Sequence, residues 1–319
     1  MREFESLPQA ILTARDRLLP HISVTPCEPS SPLSQRYEAD VWLKGEHLQH
    51  TGSFKARGAM HKLLCLSPSE RQTGVVTASS GNHGAGVAWA SRALGVQAIV
   101  FVPQGASSAK VDIIKGYGAD VQTFGTDGVE SEIHARQYAA DHGSVYVSPY
   151  NDIDVVAGQG TVGIELVEQM GSVDAVIVAV GGGGLIGGTA AYLKSLMPNV
   201  RVIGAQPEKS PVMALSVRAG RIIEFASEPT LSDGSAGGIE PGAITLDLCR
   251  TLVDDWVLTS EEEIAAAMRA FITERDQVIE GSAAVALATL AHIDARGQRV
   301  AVVLCGGNVS QETLRKVMQ

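Results

Sequence analysis

Short apolar runs alternate with amphipathic segments along nearly the whole chain, and that rhythm limits the folds open to it. Residues 40–44, 75–77, 98–102, 120–124, 175–180, 200–205 and 300–304 read as strands. Residues 7–19, 54–66, 86–94, 107–117, 126–142, 161–170, 261–274 and 282–295 read as helices, as does the segment from Gly184 to about Met197. Repeated strand–helix–strand units imply parallel sheets with helices on both faces, so the expected class is α/β. A second run of such units begins at Gly158. Residues 227–242, rich in Gly, Ser and Pro, form a loose connection or a functional loop.

The chain of 319 residues suffices for one large or two moderate domains, and 45% hydrophobic residues can fill a substantial core. A net charge of −10 argues against nucleic acid or an anionic membrane as partner, though not against a small anionic ligand. Cys27, Cys65, Cys249 and Cys305 are widely spaced with no CxxC pair, so neither a zinc nor a disulfide framework is expected. Residues 175–193 form the longest uncharged run and match a membrane span in length. Six glycines interrupt that run, which reads instead as strand, turn and helix start. The N-terminus shows no apolar signal core, and the expected setting is a reducing cytoplasm. About fifteen residues follow the last strand, too few for an appended regulatory domain.

Three clusters carry chemistry. Lys55 lies in Ser53-Phe54-Lys55-Ala56-Arg57-Gly58, at the start of a helix. A cation there opposes the helix dipole, which lowers the amine's pKa and suits a Schiff-base lysine. The ordinary alternative is a solvated lysine. Gly181, Gly182, Gly183 and Gly184 follow an apolar strand and open a helix, a setting in which backbone amides cradle an anion. Ser79-Ser80-Gly81-Asn82-His83-Gly84 places several donors at another strand-to-helix junction, more than one helix cap needs, and suits a bound carboxylate. A reactive lysine together with a phosphate cradle points to pyridoxal phosphate. One rival remains: residues 182–187 match GxGxxG, although Gln206 stands where a ribose-binding acid is expected and only Glu208 lies near. A nicotinamide dehydrogenase of that kind leaves Lys55 and the Ser79 cluster without a role. Cys305, in Cys305-Gly306-Gly307-Asn308 after the last strand, reads by itself as a small buried apolar residue.

In this order the four motifs resemble the pyridoxal-phosphate enzymes of fold type II, the tryptophan-synthase-β-like family, and within it the serine/threonine dehydratases and serine racemases. The resemblance runs from Thr25-Pro26 to the C-terminus. It implies two domains, each an open, mostly parallel twisted sheet flanked by helices. Residues 50–148 form the small domain, residues 1–49 plus 149–319 the large one, and the active site lies between them. It further implies that Lys55 holds the cofactor and moves the α-proton, that Phe54 packs beside the ring, and that Asn82 bonds the ring hydroxyl. Gly181 to Gly184 hold the phosphate. Ser79, Ser80, Gly81 and His83 surround the substrate carboxylate, with Asp233 and Gly234 near the side chain. Ser80 also matches the second-face acid/base of racemases. Cys305 matches the Ser or Cys that faces the pyridine nitrogen, and a thiol there leaves the ring neutral. A neutral ring is a weaker electron sink and favours rapid loss of a β-hydroxyl over transamination.

The activity so implied is elimination of water and ammonia from a small L-β-hydroxy amino acid such as threonine or serine. The alternatives left open are a serine racemase, a specialised dehydratase of the phenylserine, hydroxyaspartate or hydroxyectoine-degradation kind, and a β-replacement synthase. The resemblance also implies a homodimer acting on a small amino acid. The chain departs from the family at two places, one of them the loop of residues 232–240, which is glycine-rich compared with typical dehydratases. Many relatives bind a divalent cation with a Glu and an Asp where this chain has Gln206 and Val212, so no metal site is expected there.

Overall fold

The computed structural model describes residues 4–319. Its strands are β1 (Cys27–Pro29), β2 (Asp40–Lys44), β3 (Val75–Ala78), β4 (Ala98–Val102), β5 (Asp120–Thr123), β6 (Val145–Tyr146), β7 (Ala175–Ala179), β8 (Arg201–Pro207), β9 (Asp255–Thr259) and β10 (Arg299–Val303). They form a six-stranded sheet in the order β1-β2-β10-β7-β8-β9 and a four-stranded sheet in the order β5-β4-β3-β6. All pairs are parallel except β1 against β2, which caps one edge. Strands β7 and β10 lie in the middle of the larger sheet and are almost wholly buried, which is why they read as continuous apolar runs. Their core includes Val176, Ile177, Val302 and Val303, and a separate core gathers Val75, Val87 and Val147 beside the smaller sheet.

Strand order decides where a ligand can sit. In the larger sheet the chain runs β7-β8-β9 outward and then returns to place β10 on the other side of β7. In the smaller sheet it runs β3-β4-β5 outward and returns to place β6 on the other side of β3. Each reversal opens a crevice beyond the carboxyl ends of the strands, the usual ligand site of open α/β sheets. Gly181 and Cys305 follow β7 and β10; Ser79 and Pro149 follow β3 and β6.

Several elements differ from expectation. β1 and β6 are too short to leave an apolar run, and β9, half-buried at the sheet edge, shows only Trp256-Val257-Leu258. The helix expected at 161–170 begins eight residues earlier, at Ile153, where the Asp152 carboxylate caps the amides of Asp154 and Val155. Glycines 158, 160 and 163 within this helix serve helix crossing. A Cβ on Gly158 would stand 2.7 Å from the carbonyl oxygen of Arg57, and one on Gly188 would stand 2.4 Å from that of Val156. The helix expected at 282–295 is shorter, Gly281–Ala288 followed by a 3₁₀ turn at Thr289–His292. The helix expected at 86–94 starts at Asn82. Helices Ser31–Tyr37, Pro68–Thr73, Val212–Ala219, Ile244–Leu252 and Gln311–Met318 were not expected; all are short, which leaves few turns in which a helical period can show.

One buried polar cluster joins the two halves of this architecture. Arg57, in the helix Lys55–Cys65, donates from Nε and Nη2 to Glu46, both at 2.7 Å, and from Nη1 and Nη2 to Glu165, at 2.6 and 2.9 Å. Thr161 takes a further bond from Nη1 at 3.2 Å. Lys44 adds a second cation against Glu165 and the carbonyl of Thr25. Two cations therefore face two carboxylates, and Lys44, Glu46 and Arg57 are fully buried. Removing one partner strands the others. Arg57→Leu is expected to lower unfolding free energy by about 3–5 kcal/mol, read as a fall in the urea midpoint. Arg57→Lys should recover only part of it, because one ammonium cannot bridge two carboxylates edge-on. An unchanged midpoint in Arg57→Leu would show that the cluster does not hold the fold together.

Candidate active site

The two crevices open on one shared cavity of about 480 Å³, within the range of small-molecule sites. Every residue nominated from the sequence lines it: Lys55 and Phe54, the Ser79–His83 stretch, the four glycines, Asp233 and Gly234, and Cys305.

Lys55 is the first residue of its helix, with Phe54 at the N-cap position. Its Nζ donates to the carbonyl oxygen of Pro149 at 2.8 Å and stands 5.1 Å from the Phe54 ring centroid. Burial pushes its pKa down to about 8, against the opposing pull of Cys305 and Glu280. Burial is thus the leading cause, where the sequence had suggested the helix dipole. A useful fraction of the amine is neutral, and therefore nucleophilic, near neutral pH.

At the opposite side Gly183 takes φ +87°, a conformation open to glycine, and caps the helix Gly184–Leu196. A Cβ on Gly182 would lie 2.2 Å from the Tyr150 ring, so only a bare backbone fits between that ring and the cavity. The amides at this helix start make an anion cradle. His83 is buried. Its Nε2 faces the carbonyl oxygen of Val147 at 2.9 Å and must carry the proton, while burial holds its pKa down to about 3. It is neutral, so positive potential for a carboxylate comes from the N-terminus of the helix Asn82–Leu94.

Asn82 is held from across the cleft. Its Nδ2 donates to both oxygens of Glu280, at 3.0 and 2.9 Å, and its Oδ1 accepts from Nδ2 of Asn308 at 2.8 Å. The backbone amide of Asn308 also donates to Glu280. Glu280 was missed from the sequence. A carboxylate at the start of a helix reads as a cap, yet its side chain makes no cap bond and lines the cavity. Burial raises its pKa to about 7, so it exchanges a proton near neutrality. Pro149, Tyr150 and Gln159 were missed too; they lie in the segment after β6, which carries no motif. The 227–242 stretch forms one wall and is pinned across the cleft by Lys110–Asp233 and Arg136–Glu240 ion pairs. It acts as a functional loop rather than a loose connection.

A family model described as pyridoxal-phosphate-dependent enzyme matches residues 18–306. The chain belongs to this family. An L-threonine ammonia-lyase of Thermotoga maritima is 41% identical over 290 residues, 91% of this chain and 72% of that protein. The catabolic L-threonine dehydratase of Escherichia coli is 38% identical over 311 residues, 96% of this chain and 94% of that protein. Among solved structures, the processed threonine deaminase isoform 2 of Solanum lycopersicum superposes with a TM-score of 0.93 at 32% identity, covering 99% of this chain and 93% of its own. Maize serine racemase gives 0.91 at 32% identity, covering 97% and 96%. The fold is that of the type II enzymes, as expected, and the dinucleotide reading of residues 182–187 is set aside.

The cavity fits the family's cofactor. An amine of lowered pKa and an anion cradle face the same space. Oε1 of Gln159, Oγ of Ser282 and Nδ1 of His83 line it, buried and without a protein partner, as in a site shaped for a polar ligand. Cys305 is buried at the cavity, and burial drives its thiol pKa well up, so it stays a neutral group there. Gln206 is buried and bonds the backbone with both ends of its amide. Nε2 donates to the carbonyl oxygen of Val180 at 2.9 Å, while Oε1 accepts from the amide of Ala214 at 2.8 Å. Buried Val212 offers no oxygen. Turnover is therefore expected to survive exhaustive EDTA treatment. A large loss reversed by Mg²⁺ would show that a carboxylate, such as Glu208, has taken over that place.

Proposed function

We propose that the chain is an L-threonine ammonia-lyase that also turns over L-serine. The observation that carries this reading is Lys55, an amine of lowered pKa facing the glycine cradle and the Ser79 cluster across one cavity. Pyridoxal phosphate, when bound, supplies the electron sink that makes the α-proton removable and the β-hydroxyl a leaving group. The chain's own residues do the rest. The Gly181–Gly184 amides fix the phosphate; Ser79, Ser80, Gly81 and His83, at a helix start, orient the substrate carboxylate. Lys55 Nζ takes the α-proton. The thiol of Cys305 keeps its own proton and transfers none to the ring nitrogen, which disfavours slower side reactions. The cross-cleft pairs Asn82–Glu280 and Lys110–Asp233 hold the walls together and limit water entry. The released enamine hydrolyses to a 2-oxo acid and ammonia.

We extend the proposal to a division into residues 50–148 and 1–49 plus 149–319, to a homodimer, and to the cytoplasm. The segregation of β3 to β6 into one sheet supports the division. No described helix is long and apolar enough to cross a membrane. Serine racemisation is the second reading, favoured by Ser80, whose side chain lies on the same cavity as Lys55.

With purified holoenzyme, L-threonine is expected to give 2-oxobutanoate and ammonia in equal amounts. Lys55→Ala should abolish the visible absorbance of bound cofactor and lower turnover by about 10³-fold or more. D-Serine accumulation from L-serine without ammonia release would favour the racemase instead, and full activity in Lys55→Ala would remove Lys55 from the chemistry.

A further inference from the structure

Away from the cavity, one cluster gathers metal-binding chemistry. His61 and Cys65, one turn apart on the helix Lys55–Cys65, meet Asp154, in the first turn of the helix Ile153–Met170. Their imidazole, thiol and carboxylate atoms all lie within 4.8 Å of one another. His61 Nδ1 is 2.8 Å from the backbone carbonyl oxygen of Asp154. A carbonyl only accepts, so Nδ1 carries the proton and Nε2 presents its lone pair. Nε2 in turn lies 3.6 Å from the Sγ of Cys65. One ring nitrogen tied to a backbone carbonyl and the other presenting its lone pair is the arrangement of a metal-ligating histidine.

A cation already sits where these lone pairs converge. Nη1 of Arg17, an exposed side chain at the end of the helix Leu7–Leu18, lies 3.0 Å from Cys65 Sγ and 3.4 Å from His61 Nε2. Lys62 holds only one carboxylate oxygen of Asp154, Oδ2, at 3.0 Å, which leaves the other for a second partner.

We propose that His61, Cys65 and Asp154 form a binding site for a divalent metal of the zinc class, filled when the Arg17 guanidinium swings out to solvent. The mixed nitrogen, sulfur and oxygen donors suit zinc, and a single carboxylate oxygen is too little for magnesium or calcium. Three protein ligands leave the fourth position to water. Binding exchanges a proton for the metal: the Cys65 S–H bond breaks, an S–metal bond forms, and the proton goes to solvent, so affinity rises with pH. The sequence concealed the site because its ligands pair an i, i+4 couple with a residue from a distant helix, and no CxxC spacing marks them.

The test uses metal-free holoenzyme titrated with Zn²⁺ in competition with a colorimetric chelator, and with Cd²⁺ to read the ultraviolet thiolate-to-metal band. One equivalent is expected to bind, with a raised thermal midpoint. Cys65→Ser and His61→Gln should each weaken binding by about tenfold or more and remove the Cd²⁺ band or shift it. Arg17→Met, which removes the competing cation, should tighten it. His61 is buried, so Cys65→Ser and Arg17→Met, at less buried positions, decide the matter if His61→Gln folds poorly. No metal bound to the wild type, or Cys65→Ser binding as tightly as wild type, overturns the proposal.

Discussion

The guanidinium of Arg57, removed from water, grips Glu46 with one edge and Glu165 with another, and two positions earlier on the same helix lies Lys55. Glu46 follows β2 of the larger sheet, and Glu165 belongs to the long helix that begins after Pro149. The helix bearing the reactive amine is thus held at its first turn by both. A buried ion cluster of this sort adds little net stability over an apolar core, but it tolerates no shift of its members. Here it sets the direction of Lys55, whose Nζ reaches the carbonyl of Pro149.

From that fixed helix the site follows by topology. Each sheet reverses its strand order once, and each reversal opens toward the same cavity. Helix starts then supply the binding groups: Asn82–Leu94 at one crevice and Gly184–Leu196 at the other. Backbone amides and helix dipoles carry no proton to lose, so these groups keep the same charge across the working pH range. The groups that do titrate near neutrality, Lys55 and Glu280, lie between those ends.

Much of this was legible in the sequence because it is local. Apolar β7 and β10, the tetraglycine turn and the Ser79 cluster each announce a strand, a turn and a helix start within a dozen residues or so. What stayed hidden depends on distant partners. Glu280 looks like a helix cap until Asn82 and Asn308 are seen to meet it. Gln206 reads as a missing acid, yet its amide bonds the backbone on either side. The need for glycine at 158 and 188 likewise comes from helices that cross closely there. The lowered pKa of Lys55 was foreseen, but its main cause, burial, is a property of the closed cleft.

The central claim is that both crevices serve one cofactor held at Lys55. It is tested most directly by reducing the holoenzyme with borohydride, digesting it, and locating the phosphopyridoxyl group by mass spectrometry. A single modification is predicted, on the peptide that contains Lys55. A group fixed on any other lysine, or none fixed at all, would contradict it.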